Sequence, residues 1–268
     1  MRPGATIGLI AAAKAGAAVN SLGGVTGRDA GPPPVESRRM RILALETSTE
    51  LGSCALWCDG ALTQAFCPAG RSHSDTLLPL IGELLAGAGL RVADLDGIAY
   101  GAGPGAFTGL RVACAVAQGM AVAANLPLAP VASLAALAWQ SGAAQCLAVL
   151  DARMGEVYSA RYRCLNEGVE LLGDIVVGAP GDVELPTDGE WVVAGNALAA
   201  YPELAGRVVS KGWEQMPTLM PEAGAVAVLA APTLIAGKGI DAADAAPYYV
   251  RDKVAQTVAE RLARGGRA

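Results

Sequence analysis

The run Gly101-Ala102-Gly103-Pro104-Gly105-Ala106-Phe107-Thr108-Gly109-Leu110-Arg111 constrains the fold of this 268-residue chain more than any other stretch. It follows a strand-like segment and opens into a helix pattern of small residues, which fixes one strand–turn–helix junction. Glycines there allow positive φ and close backbone approach, and Pro104 sets one φ. Thr108 is placed to help cap the helix that continues through Val112, Val116 and Met120. A junction of this kind offers backbone N–H groups to an anion or to a neighbouring element.

The segments around the junction repeat. Residues 41–46 read as a buried strand, 53–57 as a second and 61–66 as a third, with Cys58-Asp59-Gly60 supplying hairpin-turn chemistry. A helix over 74–88, a strand over 97–101, the glycine-rich run, a helix to about 124 and a strand over 128–131 follow. Residues 146–151 then read as another buried strand ending in a carboxylate. Strands over 156–162, 170–177 and 191–194 and helices over 222–236 and 254–264 complete the pattern. Ala44-Leu45-Glu46 and Val149-Leu150-Asp151 fall at equivalent places. The expectation is a duplicated α/β fold with mixed sheets: a first lobe over residues 40–142, a smaller second lobe over 143–268, and the cleft between them as the default ligand site.

Composition excludes several classes. A 53% hydrophobic content is ample for a buried core, while the 4% aromatic content makes packing depend on aliphatic side chains and close backbone approach. Residues 1–39 carry five cations against two anions, so the rest of the chain holds a net charge of −8 out of the total of −5. An acidic body does not grip phosphate backbones unaided, so any nucleic-acid contact must come mostly through a partner. The six cysteines form no CxxC pair, which argues for reduced thiols rather than a disulfide framework or a zinc site built on Cys54 and Cys58. The apolar runs are broken by Gly, Gln, Asn and Pro, and none reads as a membrane span. Residues 1–39 read as a disordered extension without signal-peptide character, ending in Gly31-Pro32-Pro33-Pro34. Met40 looks like a natural start of the folded part.

Several groups bear on chemistry. Glu46-Thr47-Ser48-Thr49 after a buried strand fits a phosphate or magnesium loop, with Asp151 as its counterpart in the second lobe. It fits a plain hydrogen-bonded turn at least as well, because the turn lacks an internal glycine. His73 is the only histidine, which removes any His pair for a metal; its place before Ser74-Asp75-Thr76 suits a capping or hydrogen-bonding role. The helices over 74–88 and 110–124 are apolar over more of their circumference than one core requires. Either their own sheet covers them, or Leu77, Leu78, Ile81, Leu85, Leu110, Cys114, Ala117 and Met120 form a surface for a second helix pair.

Five motifs occur in order: Ile42-Leu43-Ala44-Leu45-Glu46-Thr47-Ser48-Thr49, Arg71-Ser72-His73-Ser74-Asp75-Thr76-Leu77-Leu78-Pro79, residues 103–111, Asp151-Ala152-Arg153-Met154-Gly155-Glu156-Val157-Tyr158, and Pro247-Tyr248-Tyr249-Val250-Arg251. In that order and spacing they resemble the bacterial TsaB (YeaZ) family, over about residues 40–255. The resemblance implies a two-lobed actin-like fold (ASKHA, RNase H-like and duplicated) and a role in forming N6-threonylcarbamoyladenosine at position 37 of tRNAs reading ANN codons. It implies a non-catalytic, cytoplasmic subunit that pairs with a catalytic TsaD-type paralogue, helps recruit a TsaE-type ATPase and meets tRNA through the complex. No intrinsic cofactor is implied, with ATP and magnesium entering only in the assembled complex; alone, the chain has the option of a homodimer. A TsaD-type paralogue carries a His-x-x-x-His metal pair where this chain has His73 and Leu77. Two departures stand out: the first-strand acid is Glu46 rather than the usual Asp, and residues 1–39 have no counterpart. The competing reading is a magnesium-dependent ATPase or sugar-kinase-like enzyme built on Glu46 and Asp151. A peptidase lacks both a metal-ligand set and a convincing triad.

Overall fold

The computed structural model describes residues 7–10, 40–166 and 168–250. Strands β1 (Ile7–Ile10), β2 (Arg41–Glu46), β3 (Ser53–Cys58), β4 (Ala61–Phe66), β5 (Gly97–Gly103) and β6 (Leu128–Ala132) form a first sheet in the order β1-β4-β3-β2-β5-β6. Strands β7 (Gln145–Arg153), β8 (Glu156–Leu165), β9 (Gly168–Leu171), β10 (Val176–Gly178), β11 (Val192–Ala194) and β12 (Glu214–Met216) form a second, in the order β10-β8-β7-β11-β12 with β9 also on β8. In each sheet the long central strand pairs antiparallel with a meander on one side and parallel with a later strand on the other. The repeat read from the sequence is thus a repeat of topology.

Both central strands are buried on both faces, which is why they read as unbroken apolar runs rather than alternating ones. In β2, Leu43 and Leu45 enter the core beneath α1 (His73–Gly87) and α2 (Phe107–Ala124), whereas Ile42 and Ala44 enter the core beneath α6 (Ala223–Ile235). In β7, Cys146, Ala148 and Leu150 face α3 (Ser133–Gln140), and Leu147 and Val149 face α4 (Ala197–Ala200) and α5 (Pro202–Ser210).

The lobes are not divided at residue 142. Helix α3, from the first half of the chain, packs on β7 and β8, while α6, from the second half, covers β2, β3, β5 and β6. A strap over residues 240–250 also returns to the first lobe: Ile240 bridges Leu128, and the Tyr248 N–H donates to the Ala102 carbonyl at 2.7 Å. Within the stretch read as a disordered extension, Ile7–Ile10 form a strand antiparallel to β4; the rest of residues 1–39 lies outside the described residues.

Other expectations shift as well. The single strand over 170–177 is two, β9 and β10, because Gly173 takes φ +94° between them. Helices α3 and α5 and strand β12 arise where no strand or helix was assigned, and the helix expected over 254–264 lies outside the described residues. Helix α2 is long and apolar enough to span a bilayer, contrary to the reading that no run qualifies; in the fold, Leu110, Ala113, Cys114, Ala117 and Ala121 bury one side of it in the first lobe.

Candidate functional site

The turn after β2 and the glycine-rich run after β5 meet because β2 and β5 are parallel neighbours whose ends leave the sheet together. The Ala106 N–H donates to the Ser48 carbonyl at 2.7 Å, and the Thr47 hydroxyl donates to the Gly109 carbonyl at 2.7 Å. A Cβ at Gly109 would overlap the Thr47 carbonyl, and one at Gly101 would overlap the Glu46 carboxylate. The glycines therefore permit contact between two backbones of the same lobe. Thr108 does not cap α2: the N-cap is Ala106, and no side chain caps it.

Glu46 is fully buried. Its Oε1 accepts from the Ser48 N–H at 2.6 Å and its Oε2 from the Ser133 hydroxyl at 2.9 Å, tying the end of β2 to the start of α3. Burial raises its pKa, against the lowering effect of hydrogen bonds from Ser48, Ser133 and Thr47. A carboxylate with both oxygens engaged and no accessible surface does not fit a magnesium or water ligand, so no chemistry is assigned to a metal there.

Between the lobes lies a cleft of about 540 Å³, lined by Thr47 to Glu50, Arg71 to Ser74, the start of α2, and Leu150 to Met154. Asp151 lines it and Glu46 does not, so the two carboxylates never face one site. The Asp151 Oδ1 accepts from the Arg153 N–H and from the Tyr201 hydroxyl, each at 2.8 Å, and its Oδ2 lies 3.0 Å from the Arg153 guanidinium. Burial, then the bond to Asp151, pushes the Tyr201 hydroxyl up to about 12. Arg153 also reaches Glu50 of the other lobe at 3.9 Å. His73 is the first residue of α1 and its Nε2 lies 2.9 Å from the Thr49 carbonyl, the hydrogen-bonding role its sequence position suggested. Leu77, one helical turn on, is buried in the apolar core, and no group of three metal-ligating side chains occurs among the described residues. Cys54 is buried and its thiol is pushed up to about 12, mainly by burial, which disfavours the thiolate a zinc site needs.

The helical surface differs from the one expected. Leu77, Ile81, Leu85, Leu110, Cys114 and Ala117 are buried under their own sheet and cannot meet a partner; of the eight expected residues only Leu78 and Met120 keep accessible surface. The outward face of α1 carries Leu78, Gly82 and Ala86, and that of α2 carries Ala115, Gly119 and Val122. Leu78 is 53% and Val122 73% exposed. The spacing from Leu77 signals this face, because residues one step along a helix are about 100° away from it. The reading also missed a cluster at the mouth of the cleft. The Arg111 guanidinium lies 3.7 Å from the centre of the Phe107 ring, its Nε donates to the Tyr249 hydroxyl at 3.2 Å, and the Phe107 and Tyr249 rings are 5.5 Å apart. It fastens the strap to the start of α2.

Two sheets of the same mixed topology, a crossing helix from each half and a cleft between them define a two-lobed protein of the actin-like class. Residues 67–256 match the model of the TsaD family, tRNA N6-adenosine threonylcarbamoyltransferase. The chain is 36% identical over 227 residues to the tRNA threonylcarbamoyladenosine biosynthesis protein TsaB of Escherichia coli, covering 81% of this chain and 96% of that protein. The corresponding protein of Haemophilus influenzae is 33% identical over 233 residues, with the same coverage. The solved structure of YeaZ from Pseudomonas aeruginosa superposes with a TM-score of 0.71 at 35% identity, covering 78% of this chain and 99% of that one. The chain belongs to the TsaB (YeaZ) family.

Proposed function

We propose that this chain is a non-catalytic accessory subunit in the cytoplasmic formation of N6-threonylcarbamoyladenosine in tRNA. In this reading it binds a TsaD-type catalytic paralogue through the outward face of α1 and α2, against the equivalent helix pair. It helps recruit a TsaE-type ATPase and meets tRNA through the assembly, where ATP and magnesium act. Without the paralogue, the same face serves a homodimer.

The observation that carries the reading is that helical face: a strip of small and aliphatic residues, with Leu78 and Val122 largely exposed and Asp75, Thr108 and Arg111 at its N-terminal ends, on two helices whose opposite sides are already satisfied by their own core. The sealed carboxyl of Glu46 agrees with a subunit that does no chemistry of its own. Co-expression with a TsaD-type protein should give a stable heterodimer, and Leu78→Glu and Val122→Glu should each weaken it about tenfold or more while leaving the subunit folded. Unchanged affinity in both variants would place the partner elsewhere. Normal levels of the modified adenosine after depletion of this chain would remove it from the pathway.

A further inference from the structure

The edges of the two sheets are protected unequally. Strand β6 carries Pro130 and is bridged by Ile240, and β9, β10 and β12 have only three or four residues. These are ordinary ways of keeping an edge from recruiting another chain. Strand β4 has none of them. Its six residues, Ala61-Leu62-Thr63-Gln64-Ala65-Phe66, include no charge and no proline, and its pairing with β3 runs through all six positions without a bulge. An uncharged edge of that length without a bulge is a template for an extended segment.

In the fold that template is occupied. Ile7, Gly8, Leu9 and Ile10 stand opposite Ala65, Gln64, Thr63 and Leu62, antiparallel and without a register shift. We propose that Ile7–Ile10 is an edge cap supplied in cis, occupying a strand-pairing site on β4 that otherwise takes an extended segment from a second copy of this chain. The sheet then ends in a four-residue strand, a weaker template than the six-residue one it covers.

Geometry favours the cis arrangement. Ile10, Leu62, Trp57 and Ile42 form one row across the sheet, so the cap and the start of the folded lobe lie at the same end of it. Three strand spacings separate them, ~14 Å. Residues 11–39 can span several times that distance, up to ~100 Å when extended.

The test uses the full chain. Ile10 stands opposite Leu62, whose backbone groups face the cap, so Ile10→Pro removes a ladder N–H and opposes pairing, while Ile10→Val keeps both. Hydrogen exchange at Leu62 and Gln64, whose amides face the cap, should quicken about tenfold or more in Ile10→Pro, with β7 and β8 unchanged, and stay at the wild-type rate in Ile10→Val. Sedimentation should show the proline variant forming larger species than the wild type at the same concentration, and equal sizes would remove the second-copy site on β4. Equal exchange at Leu62 and Gln64 in the wild type and Ile10→Pro would overturn the cap. Wild-type protection of β4 that disappears on dilution would overturn the cis assignment, because the strand would then come from another copy.

Discussion

At Glu46 the carboxyl is held by two neutral donors, the Ser48 N–H and the Ser133 hydroxyl, in a site closed to water. Its folded pKa lies above its unfolded value, with burial the leading cause. Below the unfolded pKa both states carry the proton and its contribution is complete; as pH rises through the folded pKa that contribution is lost, because the folded state must then bury a charge. Glu46→Gln keeps the shape, accepting from Ser48 and donating to the Ser133 oxygen. Denaturant unfolding at pH 5 and pH 8 should therefore show the wild type losing stability relative to Glu46→Gln at the higher pH. A constant difference between the two would show that the folded pKa does not lie above the unfolded one. Glu46→Ala should cost about 3 kcal/mol at pH 5, since it leaves both donors buried without an acceptor, and less at pH 8, where the wild type has lost part of the carboxyl's contribution. That a carboxylate ends this strand was legible in the sequence. That it turns inward to α3 was not, because Ser133 is 87 residues away and lies in a helix no local pattern announced.

Helix α2 shows how one sequence signal carries two meanings at the element scale. Its glycines 109 and 119 look alike in the sequence, yet a Cβ at Gly109 would strike the Thr47 carbonyl whereas one at Gly119 meets nothing within 4 Å. Gly109→Ala should therefore destabilise by ~3 kcal/mol through overpacking against backbone that cannot yield. Gly119→Ala should stabilise by up to ~1 kcal/mol, as an exposed helix position gains Ala propensity. Urea unfolding of the two variants checks this, and equal shifts would mean that α2 does not rest on the β2 turn. The same contact explains what the glycine-rich run does: it seats α2 against its own lobe, and a substitution at Gly109 disturbs the fold before any partner. The boundaries of α1 and α2 were readable because turn residues flank their apolar runs, Ser72 and Gly89 for α1 and Gly105 and Asn125 for α2. Which side faces out was not, because both helices carry apolar residues on both sides, and only the sheet beneath decides that Ile81 is core and Leu78 is surface.

At the scale of the whole molecule the duplicated strand pattern was visible, but the exchange of helices between the halves was not. Alanine-rich segments such as α3 and α6 fit either sheet, so only tertiary packing assigns them. Its consequence is that neither half of the chain is a unit. On one face of the first sheet, Ile42, Ala44, Ala55, Ala99 and Ala129 are closed mainly by Val226, Ala227, Ala230 and Leu234 from α6, with Ala136 and Trp139 of α3 at its side, and Gly97 leaves the space Leu234 fills. A fragment ending at residue 142 would lose α6 from that face, leaving most of it open, and would keep α3 without the β7 and β8 it also covers. It should therefore be molten or aggregated, with fast exchange throughout β2 and β5, and should recover slow exchange only when mixed with a fragment of residues 143–268. In the intact chain, Leu234→Ala should cost ~2–4 kcal/mol by leaving a cavity above Gly97. If α3 and α6 couple the lobes, that substitution should lower the unfolding midpoint of β7 and β8 together with that of β2 and β5. Slow exchange in the isolated 1–142 fragment, or a midpoint shift confined to the first sheet, would mean that the lobes fold independently and that the crossing helices join them without making them one cooperative body.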